Sequence, residues 1–204
     1  DGRRTGRPRD PRIAEKVVLA AQRVYTRAGL AGFTFEAIAR EAGVGKPAVY
    51  RRWASTEDLM ADVLRSHRLT PIEAPTGDIS AQLIEIAAAT LRLMHSEQGS
   101  FVLRVSSARD FDRPIFAQYF DHLRDAIHLH NRALLVEAID RGELTAGTDP
   151  DLVLQSLTGA VVVGTLMAMT PNPHQDPAAA KTYCEHLVAQ ILRGARGATS
   201  GIRP

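Results

Sequence analysis

One stretch restricts what this chain can fold into more than any other: FTFEAIAREAGVGKPAVYRRWASTEDL, residues 33–59. Thr34 is placed to cap a helix, its hydroxyl accepting from free N–H groups of the first turn. Glu36 suits the positive end of that helix. Phe35, Ile38, Ala39 and Ala42 fall on one face at helical spacing. Ala39 is small, so a second helix can cross closely there. Gly43 supplies the left-handed residue that ends the helix, and Val44 plugs the corner. A second helix is expected over 46–53, with Pro47 near its start, where a missing N–H costs nothing. Val49 points back to the core, while Lys46, Tyr50, Arg51 and Arg52 are left for the outside or the rim. Ser55 and Asp58 have the spacing of a capping box for the next helix. The product is a helix-turn-helix whose short second helix has a basic, aromatic tip, a shape suited to a DNA major groove.

The surface chemistry agrees. Helix N-termini attract phosphate, and the two at Thr34 and Ser55 flank the second helix, one for each side of the groove. Lys46 and Arg51 are candidate donors to guanine or phosphate. Tyr50 suits a phosphate or a thymine methyl, and Pro47 and Ala48 offer apolar contact to a thymine methyl. Contacts to phosphate set position, and contacts to base edges carry sequence information. The competing reading is an ordinary helical hairpin with a solvated basic face; the agreement of caps, turn and patterning disfavours it.

The stretch resembles the N-terminal domain of the TetR family of bacterial transcription regulators. The shared features are a Thr-led helix (Thr34), Ala42-Gly43-Val44, a short helix with a central Tyr50, an aromatic three residues on (Trp53), and Ser55-Thr56-Glu57 opening the fourth helix. The family often has Ser where this chain has Gly45, and Lys where it has Thr56. Backbone N–H groups at Gly45 and Thr56 are then the expected phosphate donors. The motif covers about a quarter of the chain. The resemblance implies an all-α fold of about nine helices: a three-helix helix-turn-helix domain, then a helical ligand-binding and dimerisation domain. It further implies a dimeric regulator, expected to be a repressor that a small molecule releases from its operator.

Charge is distributed accordingly. Residues 1–68 hold 14 Lys or Arg against 8 Asp or Glu, a net of +6, while the remaining 136 hold 11 against 15, a net of −4. The positive end carries the helix-turn-helix, as an electrostatic footprint on DNA requires. The first residues, DGRRTGRPRDPR, have five arginines among Gly and Pro and nothing apolar to bury, so residues 1–10 are expected to be a disordered basic arm. Gly6-Arg7-Pro8 looks like the centre of an AT-hook. Arg4, Arg7 and Arg9 are thus candidates for a narrow minor groove, whose enhanced negative potential favours arginine. The plain alternative is a solvated tail.

Domain limits follow from punctuation. The DNA-binding domain is expected over 11–68, with helices at 11–28, 34–42, 46–53 and 55–68. Gly29 and Gly32 break the first of these. A Pro- and Gly-rich seam follows at 70–78. The second domain spans 78–194, with helices at 78–96, 98–109, 112–141, 149–170 and 176–194. Residues 195–204 are expected to fray. Alternating strand patterns are absent. The lone Cys184 excludes an internal disulfide and a thiolate metal cluster, and with no signal peptide visible the expected location is the cytoplasm.

Residues 152–170 contain no charge. Ser156, Ala160, Gly164 and Ala168 recur every four residues as a ridge that permits close helix approach. A membrane span is the alternative, but Gln155, Ser156 and Thr158 interrupt the run and no Lys or Arg flanks it closely. No membrane partner is expected. Tyr183, Leu187, Val188, Ile191 and Leu192 form a matching apolar face on the last helix. The resemblance implies that these two helices meet their copies in a homodimer, which would read a palindromic operator on double-stranded DNA with half-sites about 34–36 Å apart. Tyr183, Leu187 and Ile191 join the ridge as expected interface residues.

The resemblance also places an effector cavity in the second domain. Phe116, Phe120, Leu123, Ile127, His130 and Leu134 share one stripe, and His130 interrupts it with a polar group. Met94, His95 and Met167 are candidates for the rest of the wall, methionine being adaptable. Against this, Phe and Met at helical spacing usually serve a core. Asp121, Asp125, His128 and Arg132 line another face. They suit a metal or, as preferred here, a solvated face with an internal ion pair. An enzyme using Asp125 and His128 is the second function considered. It lacks paired Glu-x-x-His motifs and a nucleophile–base constellation, so no catalytic residue, metal or cofactor is expected. A third is an architectural DNA binder without ligand control, against which the length of the second domain counts.

Overall fold

The computed structural model describes residues 11–66, 77–107 and 114–197. Among these residues the fold is all-α, with ten α-helices, one π-helical turn and no strand. The helices are α1 (Pro11–Gly32), α2 (Phe35–Ala42), α3 (Lys46–Tyr50), α4 (Thr56–Ser66), α5 (Ile79–Met94), α6 (Glu97–Ser107), α7 (Pro114–Leu123), α8 (Leu129–Asp140), α9 (Pro150–Leu166) and α10 (Pro177–Gly197). The count exceeds nine because the expected helix 112–141 is interrupted. Residues Arg124–His128 form a π turn between α7 and α8. The expected arm and most of the seam lie outside the described residues, as does the end of the frayed tail.

The chain divides into two compact units, Asp1–Arg68 with Phe101–Tyr119, and Leu69–Ser100 with Phe120–Pro204. Residues 101–119, expected in the second domain, thus group with the first. Phe101, Val105 and Phe116 are buried there. The organising side chain is Tyr25, fully buried, whose ring lies 5.6 Å from Phe101, 6.1 Å from Phe116 and 6.2 Å from Phe33. Such aromatic groupings add about 0.5–1.5 kcal/mol per pair beyond area burial. Of the residues at helical spacing along α1, Ile13, Val17, Ala20, Val24 and Ala28, the middle three are at most 1% exposed, while Ile13 is half-buried and Ala28 is exposed. At Gly29 the helix kinks, with φ 62° and ψ −163°, a combination open essentially to glycine alone. One further turn then carries the chain to Gly32.

The second unit is built on α5, α9 and α10, which share a core of Leu83, Ile86, Leu91, Leu157, Val161, Cys184 and Val188. Asp78 caps α5, accepting from Ala81 N at 2.9 Å, and Asp149 caps α9, accepting from Asp151 N and Leu152 N. α9 ends at Leu166, four residues before the expected end. Ala168 adopts φ 54°, and Met169 N–H donates to Gly164 C=O at 2.7 Å, closing the helix as a glycine normally would.

Candidate nucleic-acid interface

The helix-turn-helix forms as its residues require. Thr34 Oγ1 accepts from Ala37 N–H at 3.2 Å. Gly43 has φ 65° and ψ 33°, and Val44 N–H reaches back to Ala39 C=O at 3.0 Å. Pro47 occupies the first turn of α3, and Val49 beneath it is fully buried. The regular part of α3 is shorter than expected, ending at Tyr50, but helical hydrogen bonds continue to Trp53 N–H, which donates to Val49 C=O at 3.1 Å. Trp53 is buried, and its indole N–H donates to Asp62 Oδ2 at 2.6 Å. That bond ties the end of the recognition segment to α4. The capping box is reciprocal: Ser55 N–H to Asp58 Oδ2 and Asp58 N–H to Ser55 Oγ, both 3.0 Å.

Thr34, Gly45, Lys46, Pro47, Tyr50 and Arg51 are exposed, and Ala48, Ser55 and Thr56 are half-buried, within one segment of the first unit. Arg4, Arg7 and Arg9 lie outside the described residues. One participant has a larger part than its sequence position suggests. Glu36 Oε1 accepts from Tyr50 Oη at 3.2 Å and pairs with Lys46 Nζ at 3.3 Å. Tyr50 also sets its ring edge-on against Phe35, centroids 4.8 Å apart at 83°. A hydrogen bond from its own backbone N–H, then those from Lys46 and Tyr50, hold the Glu36 carboxyl below the usual range. Two expected DNA contacts are therefore already organised around one carboxylate. At the back of α2, Glu41 takes Arg27 at 3.1 Å and Arg23 at 3.3 Å, fastening α2 to α1.

The expected effector residues do not converge. Phe116 belongs to the Tyr25 cluster and lines a cavity of about 190 Å³ in the first unit, with Leu30, Phe33, Thr56, Glu57, Met60 and Ile115. Met94 is buried, Phe120 half-buried, and His95 Nε2 lies 3.4 Å from Thr170 Oγ1. Met167 is 65% exposed and His130 is also exposed. His130 is displaced by the π turn. An extra residue in that turn advances the helical face, so Asn131, Leu135 and Ala138 are buried instead. The same turn redistributes the charged face. Arg124, rather than Arg132, pairs with Asp121 and Asp125, at 3.0 and 3.5 Å. His128 and Arg132 both reach Asp151 on α9, at 2.9 and 3.3 Å. Among the described residues no group of three or more His, Cys, Asp or Glu is gathered for a metal.

The small-residue ridge is also only partly available to another chain. Tyr183 Oη donates to Ala160 C=O at 3.5 Å, and a Cβ at Gly164 would lie 2.8 Å from Thr170 Cγ2. Ala160 and Gly164 therefore accommodate this chain's own α10 and the turn after α9, while Ala168 lies beyond the helix. Tyr183, Leu187 and Ile191 are half-buried against the unit's own core. Ser156 remains exposed, on a face with Leu152 at 58%, Val163 at 55% and Leu166 at 57% exposure. Met167 and Met169 extend it past the helix. Among the described residues no helix is long and apolar enough to cross a membrane.

Comparison with known proteins agrees with this geometry. Residues 17–63 match the family model described as bacterial regulatory proteins, tetR family, and residues 73–191 match the tetracyclin repressor-like C-terminal domain. The chain is 23% identical over 196 residues to the uncharacterized HTH-type transcriptional regulator YdeS of Bacillus subtilis, covering 96% of each chain. Its fold resembles that of FadR from Bacillus subtilis, solved in complex with stearoyl-CoA (TM-score 0.63, 14% identity, 88% of this chain and 98% of that one). It also resembles the ketosteroid transcriptional regulator KstR2 of Mycobacterium tuberculosis (TM-score 0.65, 19% identity, 90% and 94%).

Proposed function

The chain belongs to the tetR family of bacterial regulatory proteins and is a DNA-binding transcriptional regulator, and on that premise we propose that it works as a homodimeric repressor released by a small-molecule effector. The observation that carries the DNA contact is the short α3, flanked by the capped starts of α2 and α4, with Lys46, Tyr50 and Arg51 exposed. Gly45 and Thr56 supply backbone N–H groups to phosphate, and the arginines of the arm reach the minor groove.

Dimerisation is supported by the uncharged face of α9. Leu152, Val163 and Leu166 recur along one side of it, each more than half exposed, and a soluble protein normally covers such a continuous apolar strip. A dimer paired through this face carries two copies of α3, as a palindromic operator with half-sites one DNA turn apart requires. The effector reading is supported by the size of the second unit and by the stearoyl-CoA held in the FadR structure. Release requires the effector to favour the conformation that does not fit the operator, since equal affinity shifts nothing. The proposed setting is the cytoplasm.

Footprinting of purified protein on the DNA upstream of its own reading frame, run beside analytical sedimentation, tests the proposal. A palindromic footprint bound by two subunits is expected. A protein that sediments as one subunit at micromolar concentration, even with that duplex present, overturns it.

A further inference from the structure

The second unit contains a cavity that none of the expected effector residues touches. It lies between α5 and α10, with Pro173 and Pro177 also in its lining, and measures about 350 Å³. That is within the ~300–1,000 Å³ range of small-molecule sites. Its floor is apolar: Ile84, Ala88, Leu91, Ala180 and the fully buried Cys184. Its charged side chains are Glu85, Arg92 and Lys181, and each cation already has a carboxylate neighbour. Arg92 is held to Glu85 at 2.6 Å. Lys181 stands 75% exposed, 3.8 Å from Glu185, and is the cation most easily turned towards a newcomer. We infer that this α5–α10 cavity binds a compact apolar molecule bearing one anionic group, the apolar body on the Ala88–Ala180–Cys184 floor and the anion at Lys181.

The inference deepens the effector reading above and rests on it for its regulatory meaning, but the binding site stands or falls separately. The size limits the ligand to a compact body, such as an aromatic or branched acid. The 3.8 Å pair of Lys181 with Glu185 is loose enough for a ligand's single anionic group to compete for the ammonium, whereas a dianion would also meet Glu85. Cys184 gives the site its own reporter. It is the chain's single cysteine, and it forms part of the cavity wall.

The test uses the full chain, anilinonaphthalene sulfonate as the apolar monoanion and N-phenylnaphthylamine as its neutral counterpart. Alkylation of Cys184 by iodoacetamide is timed with and without each probe. Because Cys184 is fully buried, its alkylation proceeds through opening of the cavity wall, and saturating sulfonate is expected to slow it by about tenfold by favouring the closed form. Ala88→Trp fills the cavity and is expected to abolish sulfonate binding there. Lys181→Glu changes an exposed side chain that the fold does not need. It is expected to weaken the sulfonate by roughly fivefold while leaving the neutral probe unchanged. An alkylation rate unmoved by saturating sulfonate, or equal loss of both probes in Lys181→Glu, overturns the inference. Operator binding is measured on the same samples. Protection of Cys184 with the operator still bound upholds the site and removes the release mechanism. Release without protection of Cys184 upholds the mechanism and removes this site.

Discussion

Replacing Tyr50 separates two jobs that one side chain performs. The ring is 53% exposed and rests edge-on against Phe35, while the hydroxyl donates to Glu36. Tyr50→Phe keeps the ring contact and removes one solvent-accessible hydrogen bond, so the first unit is expected to lose no more than about 0.5 kcal/mol. Tyr50→Ala also removes the aromatic pair and part of a buried ring face, about 1–2 kcal/mol. In the proposed complex the hydroxyl exchanges one anionic acceptor, Glu36, for another, a phosphate. The loss in Tyr50→Phe is therefore a difference between two similar bonds, about 0.5–1 kcal/mol per subunit rather than the ~1.5–3 of a new charged bond. Over both subunits of the proposed dimer that is roughly 5- to 30-fold in Kd. Fluorescence anisotropy on the operator and urea unfolding of the free protein measure the two effects. Operator affinity within twofold of the parent in Tyr50→Phe would show that the hydroxyl stays on Glu36 in the complex. An unfolding midpoint shifted as far as in Tyr50→Ala would refute the division of labour itself.

Deleting residues 1–9, which remove four arginines, is expected to lower the salt slope of DNA binding by about 0.9 for each phosphate no longer neutralised; an unchanged slope places the arm in solvent. Val163→Glu puts a charge on the exposed face of α9 and is expected to give a folded single subunit by sedimentation, with operator affinity reduced on the order of a hundredfold. Ala168→Gly relieves the left-handed seat after α9 and should stabilise the chain by about 0.5–1 kcal/mol in urea titration; a loss of stability would show that the alanine methyl packs usefully. Glu41 has its pKa lowered chiefly by Arg27. Its contribution is therefore present above the ordinary carboxylate value of 4.5 and is lost as pH falls through the lower folded one. Glu41→Gln should flatten the acid limb of the stability profile of the first unit, and an unaltered limb would show the Arg pair to be without consequence.

Local signals carried most of the first unit. Thr34, Gly43, Pro47 and the Ser55–Asp58 pair each act within a few residues of themselves, and each occupies the place its chemistry implies. The position of α3 was legible for that reason. What required long-range partners was not. Tyr25 lies on the apolar face of α1, but nothing near it in sequence indicates Phe101 and Phe116. Glu36 reads as a helix-start acid, and its bond to Tyr50, fourteen residues on, exists only once the turn has closed. Residues 112–141 have an unbroken helical period, so the π turn at 124–128 left no mark in the pattern and carried His130 off its expected face. Of the ridge, Ala160 and Gly164 mark a close approach while Ser156 stays exposed. The ridge's period is silent on whether the approaching helix comes from the same chain, and here Tyr183 of α10 does. The α5–α10 cavity had no sequence signature, since Ala88, Ala180 and Cys184 are ordinary small core residues in any periodic reading.

The carboxylate of Glu36 also bears on selectivity. With a resident anion already seated between Lys46 and Tyr50, Lys46 does not stand as a bare cation before every polyphosphate it meets, whereas Arg51 is exposed. A phosphate arriving at Lys46 or Tyr50, as proposed, would have to compete with this tethered carboxylate. The competitor therefore sits on the same helix whose capped start is proposed to hold a phosphate.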